Sequence, residues 1–274
     1  MVRIAALAAT LLGVFPAFAQ DAQEPIPFAG GKLTITENAD GEKVLAFDGK
    51  ELSRNYVVYF DRTADVADMT VALFEVGDGG NACGPASLIV WKEPEGEVKS
   101  QAVGENDCGA PLPALTTDAI YYVPYLLPGA SAPVQRWTPS EGLKISGNLT
   151  YAPQPGTDWG QLDATKVGHI IDTFQNEALY KAASAMLGDR LTDVVTGLSV
   201  GGGAEILPSG IFWSSGGVPH AWGVSDPLTG VDARGQKLYC AQQTKNGPPQ
   251  AWPALAGWPA DVKAAMTGSI AGQQ

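Results

Sequence analysis

The chain between residues 28 and 151 alternates apolar and polar residues in short runs, which turn signals such as Asp48-Gly49 separate. The strand candidates are residues 32–36, 43–47, 56–60, 70–76, 87–91, 119–122, 134–137 and 143–151. A period of two residues turns one face of each strand toward a core, and many short strands at this spacing predict an antiparallel sandwich or barrel. The 33 glycines and 20 prolines among 274 residues fit a fold rich in turns and exclude a coiled coil.

A change of period after residue 156 predicts a second domain of a different kind. Residues 152–157 contain two prolines and a glycine that interrupt both periodicities, which is typical of a linker. Asp163 is a favourable N-cap, and apolar residues then recur at helical spacing up to Gly188, which predicts one long amphipathic helix. We therefore expect an acidic β domain over 20–156 and a second domain over 157–274.

The remainder of the second domain has the pattern of a short helix, an antiparallel meander and a final helix. The short helix is predicted at 189–195, the strands at 204–207, 210–215, 222–225 and 237–241, and the last helix from Pro259 or Ala260 to Met266. Helices followed by antiparallel strands are typical of α+β structure. The predicted fold class of the whole chain is therefore α+β.

The first 19 residues have the pattern of a cleavable export signal. Arg3 lies in a short basic head, an apolar run covers residues 4–15, and the small residues Ala17 and Ala19 precede Gln20. The run is too short to cross a bilayer, and no later segment is long and apolar enough to do so. We expect a periplasmic or secreted protein without a membrane span.

The charge is negative and unevenly distributed. The formal net charge is −12, and it becomes −13 when Arg3 leaves with the signal. Residues 20–156 hold 19 acidic and nine basic side chains, whereas residues 157–274 hold ten and seven. A surface of this sign repels nucleic acid, so the composition excludes a nucleic-acid partner and favours a basic protein partner.

Three cysteines in an exported chain leave one thiol over after any pairing. Cys83 and Cys108 lie 25 residues apart in similar glycine-rich contexts, which favours a disulfide between them. Cys240 lies in an apolar run that is typical of a buried strand. Three cysteines allow three pairings, and their spacing alone does not choose among them.

Residues 197–201 match the G-x-S-x-G nucleophile elbow, with Ser199 as the nucleophile. The elbow needs a strand before the serine and a helix after it, and the pattern here is the reverse. A glycine-rich turn explains the motif better than catalysis does. The two histidines, His169 and His220, and the scattered cysteines have no metal-ligand spacing, so we expect no metal and no cofactor.

The segment 213–224 reads as a strand, a tight Gly-Pro loop with a histidine at its tip, and a returning strand. The loop residues are Gly216, Gly217, Val218, Pro219, His220 and Ala221. The loop resembles the signature Cys-Lys-Pro-His-x-Cys followed by Gly in the inhibitor of vertebrate lysozyme (Ivy) family of bacterial periplasmic proteins. Pro219, His220 and Gly223 match this signature. Gly217 and Trp222 stand in place of its two cysteines, and Val218 stands in place of its lysine.

The order of elements around the loop is also similar to that family. A Leu-Gly-Asp helix end lies at 187–189, a turn of Asp-Pro-x-Thr-Gly type at 226–230, and a last helix near Pro259. The resemblance covers about residues 165–270, and no family is recognised for the β domain. It implies a non-catalytic binding protein whose loop enters a lysozyme cleft, where His220 hydrogen-bonds the two active-site carboxylates.

Three classes of function follow from these features. The leading hypothesis is an exported inhibitor-like protein that uses residues 216–221 to bind a basic wall-degrading enzyme. The second is an envelope serine hydrolase that uses Ser199, and the third is a structural envelope component without an enzymatic role. A hairpin turn in which His220 packs on Trp213 or Trp222 is the plain structural alternative for the loop.

Overall fold

The computed structural model describes residues 24–80, 83–217, 223, 225–245 and 247–270. The expected signal peptide over residues 1–19 lies outside these residues. The described chain is mostly antiparallel β-structure with three α-helices near its C-terminal end, so the predicted α+β fold class is confirmed.

The N-terminal part consists of three four-stranded antiparallel meanders. The first contains β1 (Ile26–Phe28), β2 (Gly31–Glu37), β3 (Lys43–Phe47) and β4 (Lys50–Asn55). The second contains β5 (Val57–Val66), β6 (Met69–Gly77), β7 (Ala86–Lys92) and β8 (Val98–Val103). The third contains β9 (Pro113–Leu115), β10 (Ile120–Tyr122), β11 (Ser131–Thr138) and β12 (Gly142–Thr150).

The second meander is buried on both faces. Phe74 and Leu88 pack with Leu33 and other residues of the first sheet. Residues of the opposite parity pack against the third sheet, where the rings of Trp91 and Trp137 lie 5.1 Å apart between centroids. Successive residues of a strand point to opposite faces, so one sheet serves two cores. The predicted antiparallel β-structure therefore takes the form of three layers with the second meander in the middle.

The C-terminal part is one antiparallel sheet covered by helices. Its strands are β13 (Val200–Gly201), β14 (Glu205–Ile206), β15 (Phe212–Gly217), β16 (Pro227–Asp232), β17 (Lys237–Thr244) and β18 (Gly247–Trp252). Its helices are α1 (Glu177–Leu187), α2 (Leu191–Gly197) and α3 (Ala260–Ser269). Short 3-10 helices cover Trp159–Gln161, Ala164–Lys166, Ile170–Gln175, Gly188–Arg190 and Leu255–Gly257.

Strand β17 separates two cores in this sheet. Leu238 and Cys240 pack against α1 and α2, whereas Tyr239 and Ala241 pack against α3. Burying one large apolar side chain contributes about 1.5–3 kcal/mol, so both helical layers are held by the alternation along this strand. Among the residues that the structure describes, no helix is long and apolar enough to cross a membrane.

The long helix predicted from Asp163 to Gly188 is wrong in its first half. The α-helix begins only at Glu177, and two 3-10 helices precede it within the predicted span. Asp163, His169 and Asn176 each accept a backbone N–H two or three residues ahead, so each starts a new helical segment. The apolar residues still face one core, because 3-10 turns preserve that spacing approximately.

The turn predicted over residues 226–230 is also wrong, because Pro227–Asp232 forms β16 between β15 and β17. Pro227 is the first residue of this strand, a position at which proline is tolerated. The strand expected to return at 222–225 does not begin there: Gly223 and Ser225 lie in a turn and a bend. Trp222, which precedes Gly223, and Val224, which lies between Gly223 and Ser225, are outside the described residues.

The segment predicted as a linker is fixed to the start of α1. The backbone N–H of Gln154 donates to Gln175 at 2.7 Å, and the N–H of Gly156 donates to the Glu177 carboxylate at 2.7 Å. The Thr157 hydroxyl oxygen accepts the N–H of Glu177 at 2.7 Å. These contacts satisfy donors at a helix N-terminus that would otherwise lack partners, so residues 154–157 are part of the helix start.

Candidate functional site

The predicted binding loop connects two adjacent antiparallel strands, β15 and β16. Gly216 and Gly217 are the last residues of β15, and both are buried. Residues 218–222, which include Pro219, His220 and Ala221, lie outside the described residues. The structure therefore describes the two ends of the loop, and the role of its tip stays a prediction.

Close backbone packing fixes the first end of the loop. A Cβ on Gly216 would lie 2.7 Å from the carbonyl oxygen of Gly197 and 2.8 Å from the Cα of Leu198. Gly216 and Gly217 also pair with Gly201 and Val200 of β13. No side chain fits between these backbones, so the sequence needs glycine here.

A buried carboxylate fixes the other end. Asp226 is 2% exposed, and its Oδ2 atom accepts the backbone N–H of Gly223 at 2.9 Å. The carbonyl oxygen of Asp226 accepts the N–H of Gln243 at 3.0 Å, which ties the residue to β17. The next residue, Pro227, packs its ring against Gly197, where a Cβ would lie 2.6 Å from the Pro227 Cδ atom. Both ends of the loop therefore rest on the end of α2.

The same packing explains the G-x-S-x-G motif. Ser199 follows α2 and precedes β13, so the strand, turn and helix order of a nucleophile elbow is absent. Its hydroxyl donates to the carbonyl oxygen of Thr196 at 2.6 Å, an ordinary turn contact. Gly197 and Gly201 make room for Pro227 and for the backbone of Ser215. The spacing of these two glycines therefore reflects close packing at the ends of the loop.

His169 is the N-cap of a 3-10 helix and accepts the N–H of Ile171 at 3.4 Å. This position differs from the helix interior that the sequence predicted for it. Within the described ranges no group of three or more histidine, cysteine, aspartate or glutamate side chains has the arrangement of a metal site.

A disulfide joins Cys83 and Cys108, with 4.6 Å between their Cα atoms. The flanking backbones are paired as well, since Gly84 donates to Cys108 at 3.2 Å and Ala110 donates to Pro85 at 2.9 Å. Cys240 is free and buried, and burial raises the pKa of its thiol to about 12. The two glycine-rich loops are thus stapled as the sequence indicated, and the third thiol lies in the core.

Beside the disulfide, a cavity of about 640 Å³ has an acidic rim in the β domain. Glu75, Asp78 and Glu105 line it together with Tyr59, whose side chain is 60% exposed. Local acidity of this kind attracts cationic groups over a Debye length of about 8–10 Å.

Comparison with known proteins finds a different family model for each part of the chain. The family model Inhibitor of vertebrate lysozyme (Ivy) matches residues 178–272, so the resemblance inferred from the loop and the order of elements is confirmed. The family model Y4bG N-terminal domain matches residues 29–150, a relationship that the sequence analysis did not recognise. The first part of the chain is therefore similar to the Y4bG N-terminal domain and the second part to the Ivy family.

One individual relative matches most of the chain. The chain is 22% identical over 222 residues to "Uncharacterized protein y4bG" of Sinorhizobium fredii (strain NBRC 101917 / NGR234), and the match covers 81% of each chain. No solved structure matches the chain.

Proposed function

We propose that this protein is an exported inhibitor-like protein that binds a lysozyme-type, wall-degrading enzyme through residues 216–221. The match of residues 178–272 to a family of lysozyme inhibitors carries the proposal. The export signal predicted over residues 1–19 supports a location in the periplasm or outside the cell. The protein forms a complex and catalyses no reaction.

The ends of the loop support this role. A loop that enters a cleft binds more tightly when little conformational freedom is lost on binding. The family signature has two cysteines, and here Gly217 and Trp222 occupy their positions. In this chain the packing of Gly216 on Gly197 and the hydrogen bond from the Gly223 N–H to the Asp226 carboxylate keep the two ends of the loop in position.

His220 is the proposed contact with the enzyme. An imidazolium between two carboxylates makes charge-assisted hydrogen bonds, and the carboxylates favour its protonated form. The acidic β domain supplies long-range attraction to a basic enzyme. The negative charge of the protein is concentrated in this domain, which includes the acidic rim at Glu75, Asp78 and Glu105.

The test is an inhibition assay with the full chain, a vertebrate lysozyme and a suspension of bacterial cell walls. We expect the wild type to slow clearing of the suspension. His220→Ala should raise the inhibition constant about tenfold or more, the effect expected when a hydrogen bond to a charged group is lost. His169→Ala is the matched control, because it removes the other histidine at a distance from the loop in sequence and should inhibit as the wild type does.

Melting temperatures of the three proteins separate binding from folding. Loss of inhibition with an unchanged melting temperature supports the contact. Absence of inhibition by the wild type, or equal inhibition by His220→Ala, refutes the proposed function or the proposed loop, respectively.

A further inference from the structure

A second cavity lies on the Ivy-type domain, between the start of α2 and the end of β17. Its volume is about 500 Å³, within the range of small-ligand sites. The described residues that line it are all polar, and the ones that matter here are Arg190, Asp193, Gln242, Gln243, Lys245 and Gln250. Side chains of these types favour a polar ligand.

Two buried amide oxygens beneath the surface of this cavity have no hydrogen-bond partner among the described residues. Gln242 and Gln243 are only 6% and 7% exposed, and the Oε1 atom of each accepts no hydrogen bond from the described part of the chain. The pairing of β17 with β18 shifts register between Gln242 and Thr244, a bulge that lets two consecutive side chains reach the same cavity. Buried acceptors are normally satisfied, so a pair of unsatisfied ones calls for a donor.

Positive charge prevails at the rim of the cavity. Arg190 donates to Asp193 at 3.1 Å and to Gln250 at 3.3 Å, which leaves other guanidinium N–H groups unused. Lys245 is exposed and pairs with no carboxylate among the residues that the structure describes. Two cations face one carboxylate here, although the whole chain carries a net charge of −12.

We propose that this cavity binds a carboxylate-bearing saccharide. The amide groups of Gln242 and Gln243 turn toward the bound sugar so that its hydroxyls donate to their oxygens, and the carboxylate of the sugar pairs with Lys245 and Arg190. A neutral sugar satisfies only the amide oxygens, and a simple anion satisfies only the cations. None of the residues 216–221 is among the described residues that line this cavity, and the proposal does not depend on the proposed inhibition.

The experiment titrates the full chain with glucuronic acid, N-acetylmuramic acid and glucose, with calorimetry and ligand-observed NMR as the readouts. We expect at least one of the two acids to bind about tenfold more tightly than glucose, since the carboxylate adds a charge-assisted contact. Preference between the two acids distinguishes a uronic acid from a wall sugar as the source. Equal binding of all three sugars, or no binding, overturns the proposal.

Variants assign the binding to this cavity. Lys245→Gln and Gln243→Met should each weaken binding of the acid about tenfold. Lys237→Gln is the control, because it removes an exposed lysine from the other end of β17. Replacing a buried acceptor without a partner is expected to leave stability equal or higher, so the unfolding midpoint of Gln243→Met shows whether its loss of binding is local. Binding that persists in Lys245→Gln overturns the assignment even if Gln243→Met fails to fold.

Discussion

A Cβ atom on Gly216 would lie 2.7 Å from the carbonyl oxygen of Gly197, so the ends of β15 and α2 touch through backbone alone. The other close atoms, in Leu198 and Val200, also belong to backbone. A flexible side chain could move away from an added methyl group, but paired backbones resist movement.

Gly216→Ala should therefore lower the free energy of unfolding by about 1–3 kcal/mol, the usual cost of overpacking. Urea denaturation measures this change. Gly202→Ala is the control, because a Cβ at Gly202 meets no atom within 4 Å; its effect should stay within about 0.5 kcal/mol. Equal stabilities of the two variants would show that the contact at Gly216 is not tight.

The N-cap of α1 gives a second prediction. The Asn176 side chain accepts the N–H of Leu179 at 3.0 Å and donates to the carbonyl oxygen of Asp158 at 2.6 Å. Asn176→Ala should destabilise the protein by about 1–2 kcal/mol. Asp163→Ala, which removes the cap of a short exposed 3-10 helix, should cost less. Urea denaturation measures both losses of stability. If one continuous helix began at Asp163, Asp163→Ala would show the larger loss.

Thiol chemistry gives a third prediction. Burial raises the pKa of Cys240 to about 12, so its thiol stays protonated and sequestered in the folded protein at pH 8. Alkylation at pH 8 without reductant should modify no cysteine in the folded protein and only Cys240 after unfolding. Peptide mapping identifies the modified cysteine. Alkylation of Cys83 or Cys108 without reductant would contradict the disulfide.

Loss of that disulfide should be costly. Cys83→Ser combined with Cys108→Ser opens a loop of 25 residues, and the chain-entropy treatment assigns about 3.5 kcal/mol to such a link. The free energy of unfolding of this double variant, compared with the oxidised wild type, measures the contribution. A difference near zero would mean that the backbone pairing around Gly84 and Ala110 holds the two loops together alone.

The pH dependence of stability should reveal Tyr122. Its hydroxyl is buried beside Ser87 at 2.9 Å, and burial raises its pKa to about 12 from an ordinary value of 10. The unfolded chain releases this proton first as the pH rises, so stability is fully present below pH 10 and falls between pH 10 and 12. The loss reaches about 2 kcal/mol at pH 12.

Tyr122→Phe removes this dependence. At pH 7 the variant should be about 1 kcal/mol less stable than the wild type, because Ser87 loses its partner. At pH 12 the order should reverse. Tyr125→Phe is the control, since Tyr125 is 84% exposed. Parallel stability curves for wild type and Tyr122→Phe from pH 9 to 12 would exclude a buried, protonated phenol.

The acidic β domain should accelerate association with a basic enzyme. Asp78, Glu95 and Glu105 are exposed, so neutralising them with asparagine or glutamine should slow association at low salt and leave dissociation nearly unchanged. Surface plasmon resonance with immobilised lysozyme measures both rates. The difference should vanish near 0.5 M salt because screening removes the attraction. A difference that persists at high salt would indicate direct contact instead of steering.

Sequence periodicity located much of the fold, and its errors have physical causes. The predicted strands over 32–36, 43–47 and 87–91 lie within β2, β3 and β7, where short apolar or alternating runs are bounded by turn residues. Strand β4 was missed because Lys50–Asn55 is mostly polar on both faces. Strand β16 was missed because Asp226, Pro227 and Gly230 are turn formers, and only burial between β15 and β17 makes the segment a strand.

The site was only partly readable from the sequence. The Pro-His pair and the order of elements pointed to the family, since these are local features of the chain. The polar cavity at Gln242 and Gln243 depends on a register shift and on Arg190, which is more than fifty residues away. Contacts of that range leave no periodic signal.

The interlocked start of α1 has a consequence for cutting the chain into pieces. Residues 151–177 fall between the two family matches, yet Ile170, Ile171 and Phe174 belong to the core beneath α1 and α2. A fragment excised at the family boundary, residue 178, would lose these three side chains and the Asn176 cap. Its α1 would face water where a core should be, and even a cut at residue 157 would discard the Gln154 and Gly156 contacts. The smallest piece with an intact helix start therefore begins at or before residue 154.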